Sequence, residues 1–123
     1  METKIERDKN SSPQQMQIVE RHERVINYLY PIIQRTPRKH GIVRDRFLEC
    51  LFQQTDLIMT AGKSGQVSKI YAADANLAML RFYLRFYRES IRHITVKQEQ
   101  HALALISEVG AMLNGWIKSK KGN

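Results

Sequence analysis

The sequence predicts an all-α protein, an antiparallel up-down four-helix bundle. Three observations carry that expectation. Apolar residues recur at spacings of three and four along nearly the whole chain. No segment alternates in polarity as a half-buried strand does. The helical stretches are joined by short connections, which places consecutive helices side by side and antiparallel. A length of 123 residues suits one domain with a substantial core. The composition divides it into a flexible polar segment over residues 1–14, a bundle over 15–120 and a tail over 121–123.

The first helix is expected from about Gln15 to Gln34. Ile18, His22, Val25, Ile26, Leu29, Ile32 and Ile33 share one of its faces. Pro31 removes a backbone donor, so a kink or an early end is expected there. The segment from Thr36 to Gly41 breaks the pattern. A second helix follows from about Val43 to Ala61, with Phe47, Leu48, Leu51, Phe52, Thr55, Ile58 and Met59 along its stripe, and Gly62 is placed to terminate it. The third helix spans about Gln66 to Ile91. Ile70, Ala73, Leu77, Leu80, Leu84, Tyr87 and Ile91 form its inner face, and Met79, Phe82 and Phe86 fall on another side, which predicts a second buried surface and hence an oligomer. Thr95 and Gln98 have the spacing of a capping box for the fourth helix. Its inner face carries Ala102, Leu105, Ile106, Val109, Leu113, Trp116 and Ile117. Gly110 inside that face predicts a close helix crossing.

Several chemistries fail on their own requirements. One cysteine supports neither a disulfide scaffold nor a cysteine-rich zinc site, and fits a reducing compartment. The N-terminal stretch has no apolar export signal, and Arg81 and Arg85 interrupt the longest greasy run, so a cytosolic protein without a membrane contact is expected. Gly62-Lys63-Ser64 has the look of the end of a phosphate-binding loop, but the earlier glycine that loop needs is Leu57, and no strand precedes it. A di-metal bundle needs Glu-x-x-His on two helices, and that motif does not occur. His22 reads as a buried histidine bonded to a neighbour, Cys50 as a packed thiol, and His40 and His101 as surface groups. Asp74, at the border of the core stripe, is expected to pair with a base or a backbone group. No enzyme activity, metal or cofactor is expected.

Charge points to binding instead. The net charge is +8, and it is uneven. Residues 1–24 hold five basic and five acidic groups; residues 35–46 and 81–97 each sum to +4, and Lys118, Lys120 and Lys121 add three. Arg81, Arg85, Arg88 and Arg92 stand at i, i+4, i+7 and i+11, which places four guanidinium groups along one helical stripe. Such planar forks suit successive phosphates. Arg38, Lys39 and Arg44 form a second candidate patch. Tyr83 and Tyr87 point elsewhere, so base stacking beside the row is not indicated.

The stretch IVERHERVINYLYPIIQRTPRKHG resembles the first helix and turn of the accessory variability determinant (Avd) proteins of diversity-generating retroelements. AGKSGQVSKIYAADANLAMLRFYLRF resembles their third helix, and GAMLNGWI the end of their fourth, so that the likeness covers about residues 16–117. The resemblance implies a bacterial or phage-encoded four-helix bundle that assembles into a basic, barrel-like pentamer. It also implies two partners, nucleic acid and the reverse transcriptase of the same element. In such elements the complex copies a template RNA into mutated cDNA that is retrohomed into a target gene. Bundles encoded within intervening sequences of bacterial ribosomal RNA are similar in fold and charge, and remain the alternative; a purely structural helical oligomer is a further one.

Overall fold

Four long helices follow one another in a computed structural model that describes residues 13–121: α1 (Pro13–Gln34), α2 (Gly41–Ser64), α3 (Val67–Glu89) and α4 (Val96–Lys121), with a 3-10 turn over Arg38–His40. The expected flexible segment and the end of the tail lie outside the described residues, except that Pro13 and Gln14 open α1 and Lys121 closes α4.

Each helix packs on the next, and α4 closes the ring on α1. The cross-helix pairs fix the directions. Between α2 and α3, Phe47 stacks on Tyr83, Cys50 meets Asn76 and Gln54 meets Ala73, so rising numbers face falling ones. The same reversal links α3 to α4 through Arg88 with Glu99 and Tyr71 with Lys121. It links α4 to α1 through Glu108 with Arg21 and His101 with Tyr28. The fold is thus the expected antiparallel four-helix bundle.

The predicted inner faces meet in one core. Val25, Ile33, Leu51, Ile58, Leu77, Leu80, Leu84, Ile106 and Leu113 are essentially inaccessible. Each such aliphatic side chain contributes about 1.5–3 kcal/mol by leaving water. Phe52 instead lies at the surface, edge-on to Tyr30. Buried polar groups are bonded across helices. His22 Nε2–H donates to the Leu51 carbonyl at 2.8 Å, and burial lowers its pKa from the usual histidine value. Gln54 donates to the Ala73 carbonyl at 2.9 Å and accepts from Asn76 at 2.8 Å; Asn76 also donates to the Cys50 carbonyl. Cys50 is packed beside that ladder, and burial pushes its thiol up to about 11.

Helix ends follow local chemistry with one correction. Thr95 and Gln98 form the capping box reciprocally, Thr95 Oγ1 accepting from the Gln98 N–H at 3.0 Å and Gln98 Oε1 from the Thr95 N–H at 2.9 Å. α1 runs through Pro31 and ends three residues later. Gly62 does not end α2. The helix continues to Ser64, and Gly65 terminates it in the left-handed region at φ 68°. Gly62 has another reason to be glycine: the Gln15 side chain of α1 occupies the space where its Cβ would stand. Asp74 is half-exposed and has no ion pair among the described residues, because water reaches a carboxylate at that border.

Candidate nucleic-acid and partner interface

The bundle topology gathers charge that the sequence keeps apart. The C-termini of α1 and α3 and the N-termini of α2 and α4 form one end. Residues 35–46 bring five basic side chains and one acidic one to it, and residues 85–99 bring four basic and two acidic. The excess at this end is therefore six positive charges. Its scaffold is held by cross-links from the end of α1 and the turn after it to the end of α3 and the loop after it. Thr36 Oγ1 and the Tyr87 hydroxyl share a hydrogen bond of 2.7 Å, and His93 Nε2–H donates to the Ile32 carbonyl at 2.8 Å.

Two separate surfaces emerge there. Arg38, Lys39 and Arg44 come together around a shallow groove of about 580 Å³, floored by Phe86 and rimmed by Ile42. Arg38 and Lys39 are exposed on the 3-10 turn. Arg44 is turned toward Asp45 at 3.0 Å, which offsets much of its charge. Ile42 is 82% exposed, an apolar group standing in a cationic rim. His40 lines the same groove, half-buried.

The second surface is the α3–α4 seam, where the predicted row of four arginines is broken. Arg81 is half-buried, with its Nη2 beside Gly110, in the middle of the bundle. A Cβ on Gly110 would meet it and Leu77 Cδ1 at 3.5 Å, an ordinary contact, so the predicted close crossing does not require glycine. Arg85 is exposed. Arg88 is bound to Glu99 of α4 and to Glu89, the latter at 3.0 Å. α3 ends at Glu89, so Arg92 stands in the following loop, exposed, at φ 55°. The i+11 step needs a helix that in fact stops three residues short of it.

Glu99 is the residue that spacing missed. It lies eleven positions from Arg88 across a turn, and no intrahelical rule reaches that far. Tyr83 and Tyr87 are both buried against Phe47. Neither offers a face to a base. Met79 and Phe82 of α3 remain exposed on the single chain, 47% and 44%, and Phe86 is half-buried. Among the described residues, no group of three His, Cys, Asp or Glu side chains could hold a metal ion, and no helix is long and apolar enough to cross a membrane.

No curated protein matches the sequence. A family model described as bAvd-like matches residues 16–120. That match spans all four helices but for a few end residues, and it includes both basic segments that converge on one end of the bundle. The chain therefore belongs to the bAvd-like family, as an Avd-type protein.

Proposed function

We propose that this protein is a non-catalytic accessory subunit of a diversity-generating retroelement. It binds the reverse transcriptase of its element and nucleic acid, template RNA and cDNA, and so supports mutagenic cDNA synthesis and retrohoming. Family membership supports the retroelement setting. The observation that carries the binding role is the convergence of two basic segments, distant in sequence, on one end of the bundle. Contacts of this type are largely sequence-tolerant, because they meet phosphates and not base edges. Arg38, Lys39, Arg85 and Arg92 are among the exposed cations that meet them, beside Arg35, Arg46 and Lys97. Arg81 and Arg85 on the α3–α4 seam, and the apolar Ile42–Phe86 groove, suit protein contact as well. The working form is a homo-oligomer, a pentamer, which covers Met79 and Phe82.

Co-expression with the reverse transcriptase encoded beside it, followed by nuclease treatment and affinity capture, tests the central claim. A complex that survives nuclease is expected. Free RNA binding without any polymerase in the capture would defeat the accessory role. Arg81→Ala combined with Arg85→Ala then separates the two uses of the seam. Loss of polymerase with RNA binding kept makes the seam a protein interface.

A further inference from the structure

The opposite end of the bundle is also cationic, and its chemistry differs. It is built from the N-termini of α1 and α3 and the C-termini of α2 and α4. Residues 13–19, 57–73 and 109–121 contain no Asp, Glu, Arg or His, yet they carry Lys63, Lys69, Lys118, Lys120 and Lys121. All five are exposed, and none has an ion pair among the described residues. They belong to adjacent structural pieces. Lys121 Nζ donates to the Tyr71 hydroxyl at 3.1 Å, fastening the end of α4 against the start of α3. Lys120 Nζ lies over the turn at Gly65, 3.8 Å from where a Cβ would stand. A merely solubilising surface mixes both signs, as the exposed Glu20, Glu23 and Arg24 of α1 do with Arg21. Among the described residues of these three segments the charge has one sign only, and Asp56 and Asp74 begin the next turns of α2 and α3.

We propose that the lysine end is a second nucleic-acid contact, independent of the arginine end, so that one chain engages two separate stretches of phosphate backbone. The inference rests on the nucleic-acid reading above and deepens it. A 23-residue α3 rises about 35 Å, several times the screening length of about 8 Å at physiological salt. The two ends therefore act separately. Arginine forks fix geometry, whereas lysines are point charges on flexible stems. The lysine end thus holds a backbone without fixing its register. An anionic membrane is the weaker partner, because Tyr71 is the one large hydrophobic exposed in these segments and its hydroxyl is engaged by Lys121.

The test is RNA affinity against salt, measured by anisotropy of a fluorescent single-stranded RNA of mixed sequence. The variant carries Lys63→Gln, Lys69→Gln, Lys118→Gln and Lys120→Gln; a companion carries Arg at the same four positions. Circular dichroism checks that both remain helical. The slope of log affinity on log salt is expected to flatten by about 2–3 in the Gln variant, at roughly 0.7 per lost phosphate contact on a single strand. The Arg companion keeps the wild-type slope. Adding Arg38→Gln, Lys39→Gln, Arg85→Gln and Arg92→Gln flattens it further by a separate increment. If the wild type binds RNA and the Gln variant keeps its full slope, the lysine end is not a contact and the inference is overturned. It is equally overturned if the Gln variant loses only its binding to phosphatidylglycerol vesicles. If the wild type itself fails to bind RNA, the nucleic-acid reading of the whole protein falls first.

Discussion

Arg88 of α3 donates its Nε–H to Glu99 of α4 and its Nη2–H to Glu89, so its guanidinium is engaged within the protein. Glu99 is buried at the start of α4, where a carboxylate also faces the positive end of the helix dipole. Releasing Arg88 should therefore turn it outward. In Glu99→Gln, RNA affinity at low salt is expected to rise and the salt slope to steepen by about 0.7. The melting temperature should fall, because the α3–α4 tie is weakened. Arg88→Gln should leave the salt slope at its wild-type value. A drop in RNA affinity in Glu99→Gln would mean that Arg88 already serves the ligand in its paired form.

The glycines of α2 and α4 should respond in opposite directions. A Cβ at Gly110 meets only ordinary contacts at 3.5 Å, so Gly110→Ala should stabilise the protein by about 1 kcal/mol through helix propensity alone. A Cβ at Gly62 would overlap the side chain of Gln15, which is buried. Gly62→Ala should destabilise by about 1–3 kcal/mol, the usual range for overpacking. Urea unfolding of the double variant Gln15→Ala with Gly62→Ala reads the coupling. The loss should shrink in that background, and a strictly additive result would place the cost elsewhere.

How far the sequence was legible follows from the range of each signal. The core stripes, His22 as a bonded core histidine, Cys50 as a packed thiol and the Thr95–Gln98 box all rest on neighbours within one or two helical turns, where periodicity is informative. What escaped depends on contacts between helices. Gln54 is polar and falls outside the apolar stripe of α2, yet it is buried because Asn76 and the Ala73 carbonyl satisfy it. Gly62 reads locally as a terminator, because its neighbour in space, Gln15, is distant in sequence. Arg88 reads locally as free, because Glu99 belongs to the next helix. The basic segments were visible as counts, but only the up-down topology brings residues 35–46 and 85–99 to the same end.

His22 should make stability pH-dependent below neutrality. Burial lowers its folded pKa, so the folded protein prefers the neutral ring while the unfolded chain takes up a proton near pH 6.5. The unfolded state then binds more protons, and stability falls as pH drops through that value. It is fully present above it. The slope for this one group approaches about 1.4 kcal/mol per pH unit. Urea midpoints measured from pH 7.5 to pH 5 should decline, and His22→Gln should flatten the decline while lowering stability overall, since the bond to the Leu51 carbonyl is disturbed. An equal decline in His22→Gln would assign the effect to other groups.

Arg92 should separate stability from binding in a single position. Its φ of 55° puts a side chain in the left-handed region, which costs an L-residue about 1–2 kcal/mol. Glycine relieves that strain, and its extra freedom in the unfolded chain takes back about 0.5–1 kcal/mol. Arg92→Gly should therefore be more stable than the wild type by somewhat less than about 1 kcal/mol. Arg92→Ala retains the strain and should gain nothing. Both variants lose the exposed guanidinium, so both should flatten the RNA salt slope by about 0.7. The pairing of the two measurements matters more than either one. If Arg92→Gly gains stability and loses RNA affinity, the chain keeps an arginine at a strained turn for the sake of its charge. If the affinity is untouched, the loop merely reverses the chain between α3 and α4, and the cationic end acts through its other exposed cations, Arg38, Lys39 and Arg85 among them.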